Sequence, residues 1–195
     1  MNYCEKDFIN QIGQILSSRK RTVIERAPFS HAAVLVPLFK KGENCHLLFT
    51  KRSEEVKYHK GEISFPGGVV DKEDLELERT ALREAFEEIG LKESDVQIIG
   101  ALDDIVTITE FIVTPIVGLF PYPYPFKISE VEIAELIEVP LSFLLVEDNL
   151  SEREIFRGGQ KEVVYAYQYG KHTIWGATAR ILKQFLDLIS SSRSA

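Results

Sequence analysis

Gly67-Gly68-Val69-Val70-Asp71-Lys72-Glu73-Asp74 runs into residues 75–91, whose later half reads Arg83-Glu84-Ala85-Phe86-Glu87-Glu88-Ile89-Gly90-Leu91. At roughly 100° per residue, a helix here puts Leu75, Leu82, Ala85, Phe86 and Ile89 on one side and Glu84, Glu87 and Glu88 on the other. Asp74 stands where an N-cap accepts unpaired backbone N–H groups, and Gly90 where a left-handed residue ends a helix, so the pattern predicts a helix over 75–89. Three carboxylates at i, i+3 and i+4 repel one another unless positive charge lies between them. Arg83, four before Glu87, offsets only part of that charge.

A solvated charged face is the plain explanation of a Glu-rich helix. Against it stand the glycine pair ahead of the helix and the lack of a Lys at i+4 within it. Hard oxygen donors converging on one point suit Mg²⁺ or Mn²⁺, ions that keep waters and are completed by substrate phosphates. Metal-assisted attack on a phosphoanhydride is the simplest chemistry that uses such a face.

These residues resemble the signature of the Nudix hydrolases: Gly, five residues, Glu, seven residues, then Arg-Glu, an apolar residue, any residue, Glu-Glu, any residue, Gly and an apolar residue. Residues 83–91 meet its second half in full. In the first half, five residues after Gly68 comes Asp74 rather than Glu, and eight residues separate Asp74 from Arg83. The coenzyme A pyrophosphatase branch of the family carries this longer spacing with an Asp. That branch also has an additional motif before the box, which Leu47-Leu48-Phe49-Thr50-Lys51-Arg52-Ser53, His59-Lys60-Gly61 and Phe65-Pro66-Gly67-Gly68 match. Composition alone would make the cation-rich segment after Thr50 a solvated loop.

The resemblance implies an α/β/α sandwich around a central mixed β-sheet. It implies Mg²⁺- or Mn²⁺-dependent hydrolysis of the pyrophosphate of coenzyme A, or of an acyl thioester or oxidised form, to 3′,5′-ADP and 4′-phosphopantetheine. Glu84, Glu87 and Glu88 would hold the metal with the Gly68 carbonyl, Arg83 would orient the glutamates, and Glu87 is the candidate base. Arg52, Lys57, His59 and Lys60 are the cations nearest the acidic helix, and they are the expected phosphate contacts. Gly67 and Gly68 are expected to supply positive φ and close backbone approach. Another nucleoside diphosphate derivative such as ADP-ribose or NADH, or a nucleotide-sensing module without turnover, stays open as an alternative. So does homodimerisation.

The rest of the chain fits one domain of 195 residues, 45% of them hydrophobic. A net charge of −7 excludes a nucleic-acid-coating surface and leaves small anions as partners. Cys4 and Cys45 are too few for a disulfide framework and are expected as reduced thiols, in a cytoplasmic protein with no targeting or membrane-spanning segment. A docking helix is expected at about 5–18, with Arg19-Lys20-Arg21 complementing its dipole, and a frayed tail at about 190–195. Strands are expected at 31–39, 46–50, 96–102 and 111–120, and a hairpin from 153–157 and 163–169. Glu130, Glu132 and Glu135 are candidates for one further acidic ligand, and Trp175 is expected as a core plug.

Overall fold

Residues 30–41 send alternate side chains to two different cores, and the layering follows from that. The computed structural model of the protein describes residues 6–25, 28–157 and 160–191. In chain order the helices are α1 (Lys6–Ser18), α2 (Leu77–Ile89), α3 (Leu141–Leu144) and α4 (Gly176–Ser191). The strands are β1 (Ser30–Lys41), β2 (Asn44–Arg52), β3 (Ile63–Ser64), β4 (Gly67–Val69), β5 (Gln97–Ala101), β6 (Ile105–Val106), β7 (Phe111–Leu119), β8 (Ile133–Pro140), β9 (Leu150–Arg157), β10 (Gln160–Tyr169) and β11 (His172–Trp175).

The turn around Gly42 closes the predicted hairpin, with Leu38 of β1 opposite Leu47 of β2. On its other flank β1 pairs in parallel with β7, from Ser30 opposite Phe111 to Leu38 opposite Leu119. Parallel neighbours need a crossover, and this one carries α2 over the sheet. β3 and β8 extend the sheet beside β2, β5 and β6 pair with β7, and β4 pairs with β1, giving the expected mixed sheet.

With a side-chain period of two, Ala33, Leu35 and Phe39 of β1 meet Ala81, Leu82, Ala85 and Ile89 of α2. On the opposite face Ala32, Val36 and Leu38 meet Ile9, Ile12 and Leu16 of α1 and Ile181, Leu182 and Phe185 of α4. This is the α/β/α sandwich the sequence implied. Each fully buried side chain of this kind contributes about 1.5–3 kcal/mol. The predicted second hairpin is present as β9 and β10, and β11 extends it into a separate three-stranded sheet. Its Tyr167 and Ile174 join the core beneath α4.

Several local expectations are corrected. α2 starts at Leu77, with Glu76 as an N-cap that makes no side-chain capping bond, so Asp74 is not the cap. Gly90 ends the helix in the left-handed conformation, φ 70°, as its position predicted. The buried arc of α2 runs through Glu88, Ala81, Ala85, Ile89 and Leu82, one position round from the predicted stripe. Phe86 therefore falls past its edge at 54% exposed, Leu75 lies before the helix at 88%, and Glu88 is 1% exposed rather than on the wet face.

Arg19 and Arg21 do not complement a dipole. Arg19 donates to Asp103 at 2.6 Å and to the Ala101 carbonyl at 3.0 Å, and Arg21 pairs with Asp104, so both tie the segment after α1 to the β5–β6 connection. Cys45 is buried and disulfide-bonded, not a free thiol, while Cys4 lies outside the described residues. Ser190 and Ser191 belong to α4; the rest of the expected tail, and residue 5 of the expected first helix, also lie outside the described residues. Among the described residues no helix is long and apolar enough to cross a membrane.

Candidate active site

Arg83, near the middle of α2, gathers the acidic groups around one guanidinium. Its Nη1 donates to Glu84 at 2.8 Å and Glu87 at 3.3 Å, and its Nη2 to Asp74 at 3.0 Å and the Val69 carbonyl at 3.1 Å. The helix thereby grips the loop that precedes it. Asp74 also accepts from Thr80 Oγ1 at 2.9 Å and from the Asp71 N–H at 3.0 Å. The Arg83 hydrogen bonds hold the Asp74 carboxyl down to about 2, so it is a fixed charge, and Asp74 in turn pushes Arg83 still higher.

The glycine pair acts by absence of bulk. Neither Gly67 nor Gly68 has positive φ, which corrects that expectation. A Cβ on Gly68 would overlap the Glu84 carboxylate, and one on Gly67 would strike the β1 backbone at Ala33 and Val34. Only glycine lets β4 lie between β1 and the acidic face of α2. Burial raises the Glu84 pKa, opposed by the Arg83 hydrogen bond and charge.

Glu88 sits deepest. Burial pushes its carboxyl up to about 8; Glu84 and Glu132 add to the rise, and Arg52 opposes it. Arg52 Nη1 lies 3.6 Å from Glu88 Oε1, while Glu88 Oε2 is buried without a hydrogen-bond partner. Of the three later acids, Glu132 is the one whose charge reaches both Glu84 and Glu88. Glu135 instead faces Lys171 at 3.5 Å and His172 at 3.4 Å. The acidic alternation of 130–138 signalled these residues as a set but contained nothing to single out Glu132.

The cations of the 51–60 segment separate. Arg52, at the end of β2, reaches the acids; Lys57, His59 and Lys60 are exposed. His59 Nδ1 is 3.0 Å from Glu62 Oε2, and Lys57 Nζ sits 5.1 Å from the Tyr58 ring centre. Arg52, His59, Gly67 and Gly68 line a cleft of about 520 Å³ on the sheet face away from α2, whereas Lys57 and Lys60 do not. Trp175 is no core plug: it is 49% exposed on that cleft. Tyr122, Tyr124 and Phe126 cover the sheet on the α2 side, around Phe120.

Among the described residues no three His, Cys, Asp or Glu side chains are gathered into a ready cation site, and Arg83 and Arg52 stand among the acids. The donor chemistry nonetheless fits a hard divalent ion. Glu88 offers a buried acceptor with no partner, Glu84 lies against the Gly68 backbone, and burial disfavours both charges unless a cation is near.

A NUDIX domain model matches residues 29–127. The chain is 42% identical over 183 residues, 94% of this chain and 96% of the relative, to a Photorhabdus laumondii protein named "Uncharacterized Nudix hydrolase NudL". In structure it is similar to a MutT protein from Methanosarcina mazei, with a TM-score of 0.55 and 22% identity, covering 89% of this chain and 100% of that one. It is also similar to the NUDIX domain of Shewanella oneidensis NrtR complexed with ADP ribose, with a TM-score of 0.51, 12% identity and 92% of each chain covered. The two structural likenesses concern the fold.

Proposed function

The chain belongs to the Nudix family, and from that premise we propose that it hydrolyses the pyrophosphate bond of coenzyme A or its derivatives to 3′,5′-ADP and 4′-phosphopantetheine. The observation that carries this reading is the meeting of two segments. The 47–68 segment, which resembles the motif of the coenzyme A pyrophosphatase branch, brings Arg52 to Glu88 and Gly68 to Glu84. These two contacts support reading the motif and the acidic helix as parts of one site.

In this reading Glu84 and Glu88 would hold Mg²⁺ or Mn²⁺ with Gly68 beside them, and Glu87 would be either the third ligand or the base. When bound, such an ion would activate a water and offset charge developing on the phosphates. Arg83 fixes the carboxylates of Glu84 and Glu87 and locks the preceding loop through Val69 and Asp74. Arg52, one face toward Glu88 and one on the cleft, contacts the pyrophosphate. As the base, Glu87, more exposed than Glu84 or Glu88, would serve the attacking water instead of acting as a metal ligand. Lys57 and Lys60, outside the cleft, supply a positive approach for the polyanion, and His59, on the cleft, is a further phosphate contact.

The test is a product assay with coenzyme A, ADP-ribose, NADH and a dNTP, each with Mg²⁺ and with Mn²⁺. Release of 3′,5′-ADP from coenzyme A, faster than turnover of the other three, is the expected result. Preference for ADP-ribose or NADH would move the assignment elsewhere in the family, and no turnover of any of the four would favour a nucleotide-sensing module.

A further inference from the structure

We propose that the cleft beyond Gly67 and Gly68 binds the nucleoside end of the substrate, with Trp175 as stacking platform and Arg180 as anchor for a 3′-phosphate. This rests on the coenzyme A reading and names which end of that molecule lies where.

Four exposed large apolar side chains, Val69, Ile108, Val163 and Trp175, line this one cleft. Bare apolar surface gathered in a concavity marks a ligand site. Trp175 makes no ring contact among the described residues, so its face is free for a flat partner. Indole faces bind nucleobases by stacking.

The cations of the cleft decide which flat partner. Arg52 faces Glu88 and His59 is bonded to Glu62, so both are matched by acids. Arg180 makes one hydrogen bond, to the Val106 carbonyl at 3.4 Å, and has no ion pair among the described residues. Glu162, the other acid of the wall, is engaged with another group. Arg180 therefore brings an unmatched guanidinium, whose planar fork suits phosphate oxygens, to the same cleft as the exposed indole. An alkyl or pantetheine arm would account for the aliphatic wall but would leave that cation without a purpose. A purine nucleoside 3′-phosphate uses both. Gly68 and Arg52 border both the cleft and the acidic site, so a ligand can lie across them with its pyrophosphate at Glu84 and Glu88.

Trp175 is the chain's one tryptophan, so its emission reports on this cleft alone. Titrating the full chain with 3′,5′-ADP and with 5′-AMP should change that emission with both, and 3′,5′-ADP should bind about tenfold tighter or more. Arg180→Met should erase the difference and Arg180→Lys restore part of it. In steady-state assays the same Met variant should bring the kcat/KM ratio of coenzyme A to dephospho-coenzyme A toward one, mainly through KM. Equal affinity of the wild type for the two nucleotides, silent emission at saturating ligand, or an unchanged ratio in Arg180→Met would overturn the proposal. So would a KM that falls with acyl chain length and loses that trend in Trp175→Ala, which would place the acyl arm here. If the wild type hydrolyses neither coenzyme, the reaction assignment fails while the titration still decides the subsite.

Discussion

Glu88 joins two properties rarely tolerated together, a carboxylate deep in the protein and an oxygen with nothing to bond. Glu88→Gln keeps the shape and removes the ionisable carboxyl. If the proposed reaction holds, turnover of coenzyme A at saturating Mg²⁺ should fall by about two orders of magnitude or more, with native circular dichroism; wild-type rates would sink the metal assignment. Gly68→Ala attacks the same site sterically, because the added methyl overlaps Glu84. It should cost about tenfold or more in kcat while leaving the melting temperature within a few degrees. Asp74 is a matter of stability. Its ordinary value is 3.8, and in the fold it is held near 2, so its contribution is present above about pH 4 and is lost as pH falls through 2. Asp74→Asn should therefore destabilise by about 1–2 kcal/mol at pH 7. The gap to wild type, read from denaturant curves, should close as pH drops toward 2.

At the scale of elements, what could be read in advance was whatever local periodicity controls. The β1–β2 hairpin and the left-handed Gly90 stop both obey nearest-neighbour rules. Asp74 looked like a cap because capping residues and ion-pair anchors share one chemistry; the partner that decides, Arg83, lies two turns into the helix. Glu88 looked solvated because helix angle alone does not say how much of its circumference the sheet covers. Trp175 looked like a plug because nothing local announces that β10 and α4 stand apart from β6 and leave a cleft. Where packing does follow the pattern it should carry weight: Phe185, fully buried on α4, should cost about 3–5 kcal/mol when cut to Ala. A denaturant midpoint that barely moves would mean α4 is not part of the cooperative core.

At the scale of the whole molecule the separation of duties is spatial. One face of the sheet carries α2 and its acids, the other carries α1, α4 and the cleft, and β4 forms the narrow seam between them. β1 is where these parts converge: it pairs with β2, β4 and β7, and its Leu35 N–H bonds the Pro66 carbonyl at 2.8 Å just before the glycine pair. Amides in such a strand open only when the entire sheet opens, so hydrogen–deuterium exchange at Ala33 to Leu35 should be as slow as global unfolding permits. Because Gly67 and Gly68 are laced to that same stretch, the seam cannot loosen by itself. Denaturant should then extinguish catalysis and secondary structure at one midpoint, and the enzyme would have no half-open form in which the acids outlast the fold or the fold outlasts the acids.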